Sequence, residues 1–159
     1  MAAPSGAERG RELAAPDAGI YVDSSALAKL YVPEAESERL DAFLRDRRDL
    51  LISELAITEV LSAVARRRRE GVLPAIEASQ IRDALLADAD SGMFGRLDLS
   101  PSVHREAERL LLSMDSVPLR TLDALHIALA FSAGARHVVT FDHRMRDAAV
   151  HAGLSAMAL

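Results

Sequence analysis

Residues 20–32 read IYVDSSALAKLYV, and this stretch decides the fold. Ile20, Tyr21 and Val22 are a short run of β-branched and aromatic residues, the composition of a buried strand. The period then changes. Leu27, Leu30 and Tyr31 recur at i, i+3 and i+4, one face of a helix. Asp23 stands at the junction. A strand that passes through a polar residue into a helix is the first half of a βαβ unit.

The alternation continues outward along the chain. Strands are predicted over residues 20–23, 50–53, 94–99 and 137–141, with 154–159 as a last edge strand. Helices are predicted over 25–32, 34–47, 54–69, 74–90, 101–114, 121–133 and 143–152. Pro33 is a helix-start signal, Thr121 suits an N-cap, and Gly153 suits a C-terminal cap. Short apolar strands alternating with helices imply an open parallel α/β sheet with right-handed crossovers.

Composition narrows the function classes. The chain has 159 residues, half of them hydrophobic, which suits one domain with a real core. Residues 1–17 hold Pro, Gly, Ala and charge without an apolar stretch. They read as a flexible N-terminal tail rather than a signal peptide or anchor, with a single domain over 18–159. No run reaches the ~20 apolar residues of a membrane span. A net charge of −5 argues against a highly charged nucleic-acid binder, but not against a nucleic-acid substrate held by a metal and a few arginines. Cysteine is absent. That excludes disulfides, thiolate nucleophiles and cysteine-ligated zinc, and it fits a reducing, cytoplasmic setting. Lys29 is the only lysine.

Four acids fall at the ends of, or inside, core-forming segments: Asp23, Glu59, Asp123 and Asp142. Asp23 and Asp142 each follow a strand and precede a helix, where N-capping alone is a sufficient local role. In an open parallel sheet those positions also face the crevice at the carboxyl ends of the strands. Asp123 lies in an almost wholly apolar helix (LDALHIALAFSA, residues 122–133), so its burial calls for a partner. His126, at i+3, is one candidate, as a structural His–Asp pair. Glu59 lies off its helix's apolar stripe, on a flank with Ala56 and Ala63, and as such reads as solvated unless it reaches the same crevice. No basic residue sits beside all four acids in sequence. A hard divalent cation, Mg²⁺ or Mn²⁺, is the natural compensation, and its chemistry is attack of water on a phosphodiester. Asp23, Asp123 and Asp142 are the expected metal ligands, with Glu59 a ligand or the acid that positions water.

Several other residues fit around this centre. Arg120 and Arg144 are placed to meet a phosphate, or to form local ion pairs. Ser24 and Ser25 can cap the first helix, and Ser24 can also touch the metal or phosphate. Arg66 to Arg69 end a helix, where cations complement its dipole or contact RNA phosphates. Ala56 and Ala63 suit either a dimer face or ordinary core. No G-x-S-x-G, G-x-G-x-x-G or G-K-[ST] motif is present, which disfavours serine hydrolases, dinucleotide binders and P-loop proteins. A phosphoaspartyl domain would need a lysine after a late strand, and Lys29 lies in the first helix.

IYVDSSALAKLYVPE (20–34), ISELAITEVLSAVARR (52–67), LRTLDALHIALA (119–130) and VVTFDHRM (138–145) together resemble the motifs of PIN-domain nucleases. The likeness is nearest to the VapC-like toxin subunits of bacterial toxin–antitoxin pairs. It runs from about residue 20 to the end. It implies a three-layer α/β/α fold with a central parallel sheet of four to five strands, and Mg²⁺- or Mn²⁺-dependent endoribonuclease activity. It also implies a homodimer and inhibition by a small antitoxin. By motif position the family's acids fall on Asp23, Glu59, Asp123 and Asp142, and Thr140 falls where the family often has Thr or Ser near the metal. A PIN scaffold that acts only through protein contacts is the alternative.

Overall fold

In the computed structural model, which describes residues 19–157 and 159, five parallel strands form one sheet in the order β3-β2-β1-β4-β5. They are β1 (Ile20–Val22), β2 (Leu50–Ser53), β3 (Gly95–Leu97), β4 (His137–Val139) and β5 (Ser155–Met157). The helices are α1 (Ser24–Tyr31), α2 (Ser37–Leu44), α3 (Glu54–Arg69), α4 (Ala75–Asp90), α5 (Pro101–Ser113), α6 (Thr121–Ser132) and α7 (His143–His151). The predicted N-terminal tail lies outside the described residues. Among the described residues, no helix is long and apolar enough to cross a membrane.

Side-chain alternation on the strands sorts the helices into two layers. Ile20, Val22, Leu50, Ile52 and Val139 point to a core shared with α1, α2, α3 and α4, while Tyr21 and Val138 point to the opposite core, built from α5, α6 and α7. β1 is buried along its whole length because it is central and covered on both faces. Ile20 pairs with Leu50 on one side and His137 on the other, and Asp23 N–H continues the ladder to the Val139 carbonyl at 3.2 Å. The chain builds β1, β2 and β3 outward in one direction, then returns to place β4 on the far side of β1. The order therefore reverses between β1 and β4, and Asp23 sits at that reversal.

Where the predicted boundaries shift, local chemistry gives the reason. α2 begins at Ser37 rather than at 34, because Glu34 and Glu36 reach back to Lys29 Nζ at 2.6 and 2.7 Å and Glu34 N–H bonds Ser37 Oγ at 2.9 Å. It ends at Leu44, close to Asp46, whose φ of 64° is incompatible with a continuing helix. β4 stops at Val139, since the Thr140 and Phe141 backbones turn toward α1, with Phe141 N–H bonded to Ser25 Oγ at 2.8 Å. Pro74 is the N-cap of α4 rather than its first residue, and Thr121 is the first residue of α6, whose N-cap is Arg120. Gly153 does close α7. With φ 99° it lets Gly153 N–H bond Val150 O and Leu154 N–H bond Ala149 O. Ala56 is fully buried core.

Candidate active site

At the carboxyl edge of the sheet a cleft of about 320 Å³ is lined by Asp23, Ser24, Ser25, Glu59, Arg120, Thr121, Leu122, Asp123, His126, Asp142 and Met145. All four acids singled out in the sequence thus meet in one depression. Three helices, α1, α6 and α7, begin at its wall, so their positive N-terminal ends face the acids.

Asp23 is the deepest of the four, with 3% of its surface exposed. It is the N-cap of α1. One carboxylate oxygen accepts from Ala26 N–H at 2.9 Å and Ser25 Oγ at 2.7 Å, and the other accepts from Thr140 Oγ1 at 2.5 Å. Burial raises its carboxyl above the ordinary aspartate range, and these hydrogen bonds only partly offset the rise. Asp142 caps α7 by accepting from Arg144 N–H at 2.7 Å and Met145 N–H at 3.3 Å. Asp123 reaches back to Arg120 N–H at 3.4 Å. Burial raises its carboxyl too, the Arg120 amide opposes the rise, and the charge of Asp142 across the cleft adds to it. The capping roles read from the sequence are therefore real, and they coexist with the shared cleft.

Glu59 behaves differently. Its burial alone would raise its carboxyl, but the hydrogen bond and charge of His126, with help from Ser24, bring it below the usual glutamate range. His126 Nε2 lies 2.6 Å from Glu59 Oε2, and His126 Nδ1 lies 2.7 Å from the Tyr21 hydroxyl, which lies 2.7 Å from Ser53 Oγ. The candidate His126–Asp123 hydrogen-bonded pair does not form, because His126 bonds Glu59 instead. The histidine turns toward α3 because the Tyr21 hydroxyl anchors its other ring nitrogen. Tyr21 and Ser53 were not singled out in the sequence. The available signal was a tyrosine in a central, fully buried strand, whose hydroxyl must find a partner.

Of the remaining candidates, Ser24 and Arg120 line the cleft, whereas Thr140 (1% exposed) lies behind Asp23 and Arg144 is exposed outside the lining. Arg120 is the one arginine among the described lining residues, set against four carboxylates. Arg67 of the basic run approaches Glu34 at 3.7 Å, away from the cleft.

The donors offered to the cleft are oxygens, which suit a hard divalent cation. Among the described residues no three acids or histidines stand in an arrangement that by itself encloses an ion. A hydrated Mg²⁺ needs no such cage, since it keeps several waters and takes one or two carboxylates. The donor set fits such an ion, since burial raises the carboxyls of Asp23 and Asp123, the charge of Asp142 adds to the rise at Asp123, and a cation beside them would relieve both costs.

A single parallel sheet between two helical layers, with acids gathered at its carboxyl edge, defines a class, and the PIN-domain family model matches residues 20–150. The chain belongs to the PIN-domain family. It is 36% identical over 143 residues to Ribonuclease VapC46 of Mycobacterium tuberculosis, an alignment covering 89% of this chain and 98% of that one. It is 33% identical over 144 residues to Ribonuclease VapC35 of the same species, covering 87% and 96%. The crystal structure of Mycobacterium tuberculosis VapC20, a Sarcin-Ricin loop cleaving toxin, superposes with a TM-score of 0.65 at 21% identity, covering 82% of this chain and 95% of that one. This last likeness concerns the fold.

Proposed function

We propose that the chain is a Mg²⁺- or Mn²⁺-dependent endoribonuclease, the toxin of a toxin–antitoxin pair, with Asp23, Asp123 and Asp142 as metal ligands and Glu59 as the acid that orients water. The observation that carries this reading is the convergence of four carboxylates on one cleft with a single arginine. An unaided cleft of that charge repels a phosphodiester. A divalent cation, when bound, neutralises the acids, polarises the phosphoryl oxygens and activates water.

The chain's own residues do the rest. Asp23 is held rigidly by Thr140, Ser25 and the α1 amide, so its position costs little reorganisation on binding. Glu59, kept ionised beside His126, is a proton acceptor for water. Arg120 and Ser24 at the rim are suited to holding the substrate's phosphates. The relatives' names as VapC ribonucleases support RNA as substrate, and a small antitoxin as partner is part of the toxin reading. A homodimer and a single domain over residues 18–159 belong to the same proposal.

The test is incubation of purified protein with RNA, with and without Mn²⁺, beside Asp23→Asn. Cleavage should require the metal and be lost in the variant. Unchanged metal-dependent cleavage by Asp23→Asn would refute the assignment.

A further inference from the structure

We infer that His126 and Tyr21 are positioning residues, which hold the Glu59 carboxylate in place through a buried chain of hydrogen bonds running from Ser53. The inference rests on the nuclease reading and adds to it a device that locates the water-orienting acid. The chain joins four elements: Ser53 at the end of β2, Tyr21 in β1, His126 in α6 and Glu59 in α3.

Hydrogen-bond inventory fixes its end. A carboxylate only accepts, so His126 Nε2 carries the hydrogen that faces Glu59. Nδ1 meets the Tyr21 hydroxyl, and Ser53 Oγ accepts from Ala56 N–H at 3.1 Å while meeting that same hydroxyl. Every polar atom in the chain therefore has a partner, the condition under which a buried network is rigid. The two rings also lie against each other in a tilted arrangement, with centroids 5.8 Å apart and planes at 52°, so the imidazole is held by packing as well as by its hydrogen bonds.

The consequence lies in Glu59's environment. It sits on the sixth residue of α3, within a helix whose neighbouring positions Ile57 and Val60 are core. A glutamate there has three rotatable bonds and free access to solvent on one side. The His126 bond, with a weaker contribution from Ser24, selects the rotamer that faces the cleft. Ser53, which caps α3, starts the same chain, so the register of α3 and the aim of its glutamate are set from one point.

The experiment separates positioning from simple structural support. His126→Gln keeps an N–H where Nε2 lies, whereas His126→Asn keeps only the Nδ1 end and His126→Leu keeps neither. Single-turnover RNA cleavage with Mn²⁺ should fall about tenfold to a hundredfold in His126→Asn and His126→Leu. The substrate concentration at half-maximal rate should be little changed, and His126→Gln should recover most of the lost rate. Tyr21→Phe should give a smaller loss. On a Glu59→Ala background, His126→Leu should add nothing. Equal losses in His126→Gln and His126→Leu, or a full further loss on the Glu59→Ala background, would overturn the inference. A second readout needs no activity: nitrogen-detected NMR of the metal-free protein should show His126 protonated at Nε2, and a ring protonated only at Nδ1 would also overturn it. Absence of cleavage by the unsubstituted protein would remove the nuclease reading, and the ring resonance would still decide the hydrogen-bond chain.

Discussion

Replacing Asp23 by Asn should destroy function and stabilise the metal-free fold. The carboxylate is buried and held above its ordinary range. Its charge is therefore a cost that the folded state carries. Asparagine caps a helix as well as aspartate does, and the Thr140 hydroxyl, free to rotate, can accept from the new amide in place of donating to Oδ2. Burying a charge costs on the order of several kcal/mol even after relaxation, and the hydrogen bonds to Asp23 offset most but not all of it. Losing its attraction to the α1 dipole gives back about 0.3–1 kcal/mol. The expected net gain is on the order of 1–2 kcal/mol, or roughly 3–6 °C in melting temperature for a chain of this length.

The pH dependence has a definite sign. Because the folded carboxyl is raised, Asp23's contribution to stability is complete below about pH 4, its unfolded value, and is lost as pH rises through the folded value. The advantage of Asp23→Asn should therefore vanish in acid and grow toward neutrality. Mn²⁺ should reverse the order, since a ligand at a hundred times its dissociation constant stabilises by about 2.7 kcal/mol and the variant lacks a ligand. Thermal melts at several pH values, in chelator and in Mn²⁺, read all three effects. A variant that melts below the parent in chelator at neutral pH, or a difference that does not change with pH, would refute the reasoning.

Arg120→Gln should raise the RNA concentration needed for half-maximal cleavage and lower the log–log salt slope by about 0.7, the value of one single-strand phosphate contact; an unchanged slope would place Arg120 outside the substrate path. Leu129→Ala, at a fully buried position of α6, should cost about 2–5 kcal/mol in denaturant unfolding. Gly153→Ala, at φ 99°, should cost about 1–2 kcal/mol, measured by thermal melting; a smaller effect would mean that the turn after α7 relaxes to another conformation.

The local signals were legible in sequence because they depend on neighbours. IYVD and HVVTFD gave strands followed by acids, with Asp23 directly after β1 and Asp142 beyond the turn that follows β4, and LDALHIALA gave a buried helix. Gly153 worked for the same reason. Pro33 misled because the start of α2 is fixed by Lys29, which draws Glu34 and Glu36 out of helical register. His126 misled for a larger reason. Its partner Glu59 lies 67 positions away and its anchor Tyr21 lies 105 positions away, and no spacing rule reaches across a sheet. Glu59 alone looked solvated, and only the packing of α6 against β1 converts it into a member of the cleft.

Capping and chemistry share one construction here. Asp23, Ser53 and Asp142 cap α1, α3 and α7, the helices that follow β1, β2 and β4. Those strands are consecutive in the sheet, β2-β1-β4. Parallel order therefore brings three cap side chains to the same edge. A cap must be a short polar residue at the end of a strand, and a carboxylate there is already desolvated on one side and steadied by amide donors. Substituting an acid for a neutral cap adds charge without changing the backbone. At β2 the cap is neutral, and its hydroxyl instead begins the path through Tyr21 and His126 to Glu59. The fold thus delivers charge to the cleft directly at two strand ends and through a buried chain at the third.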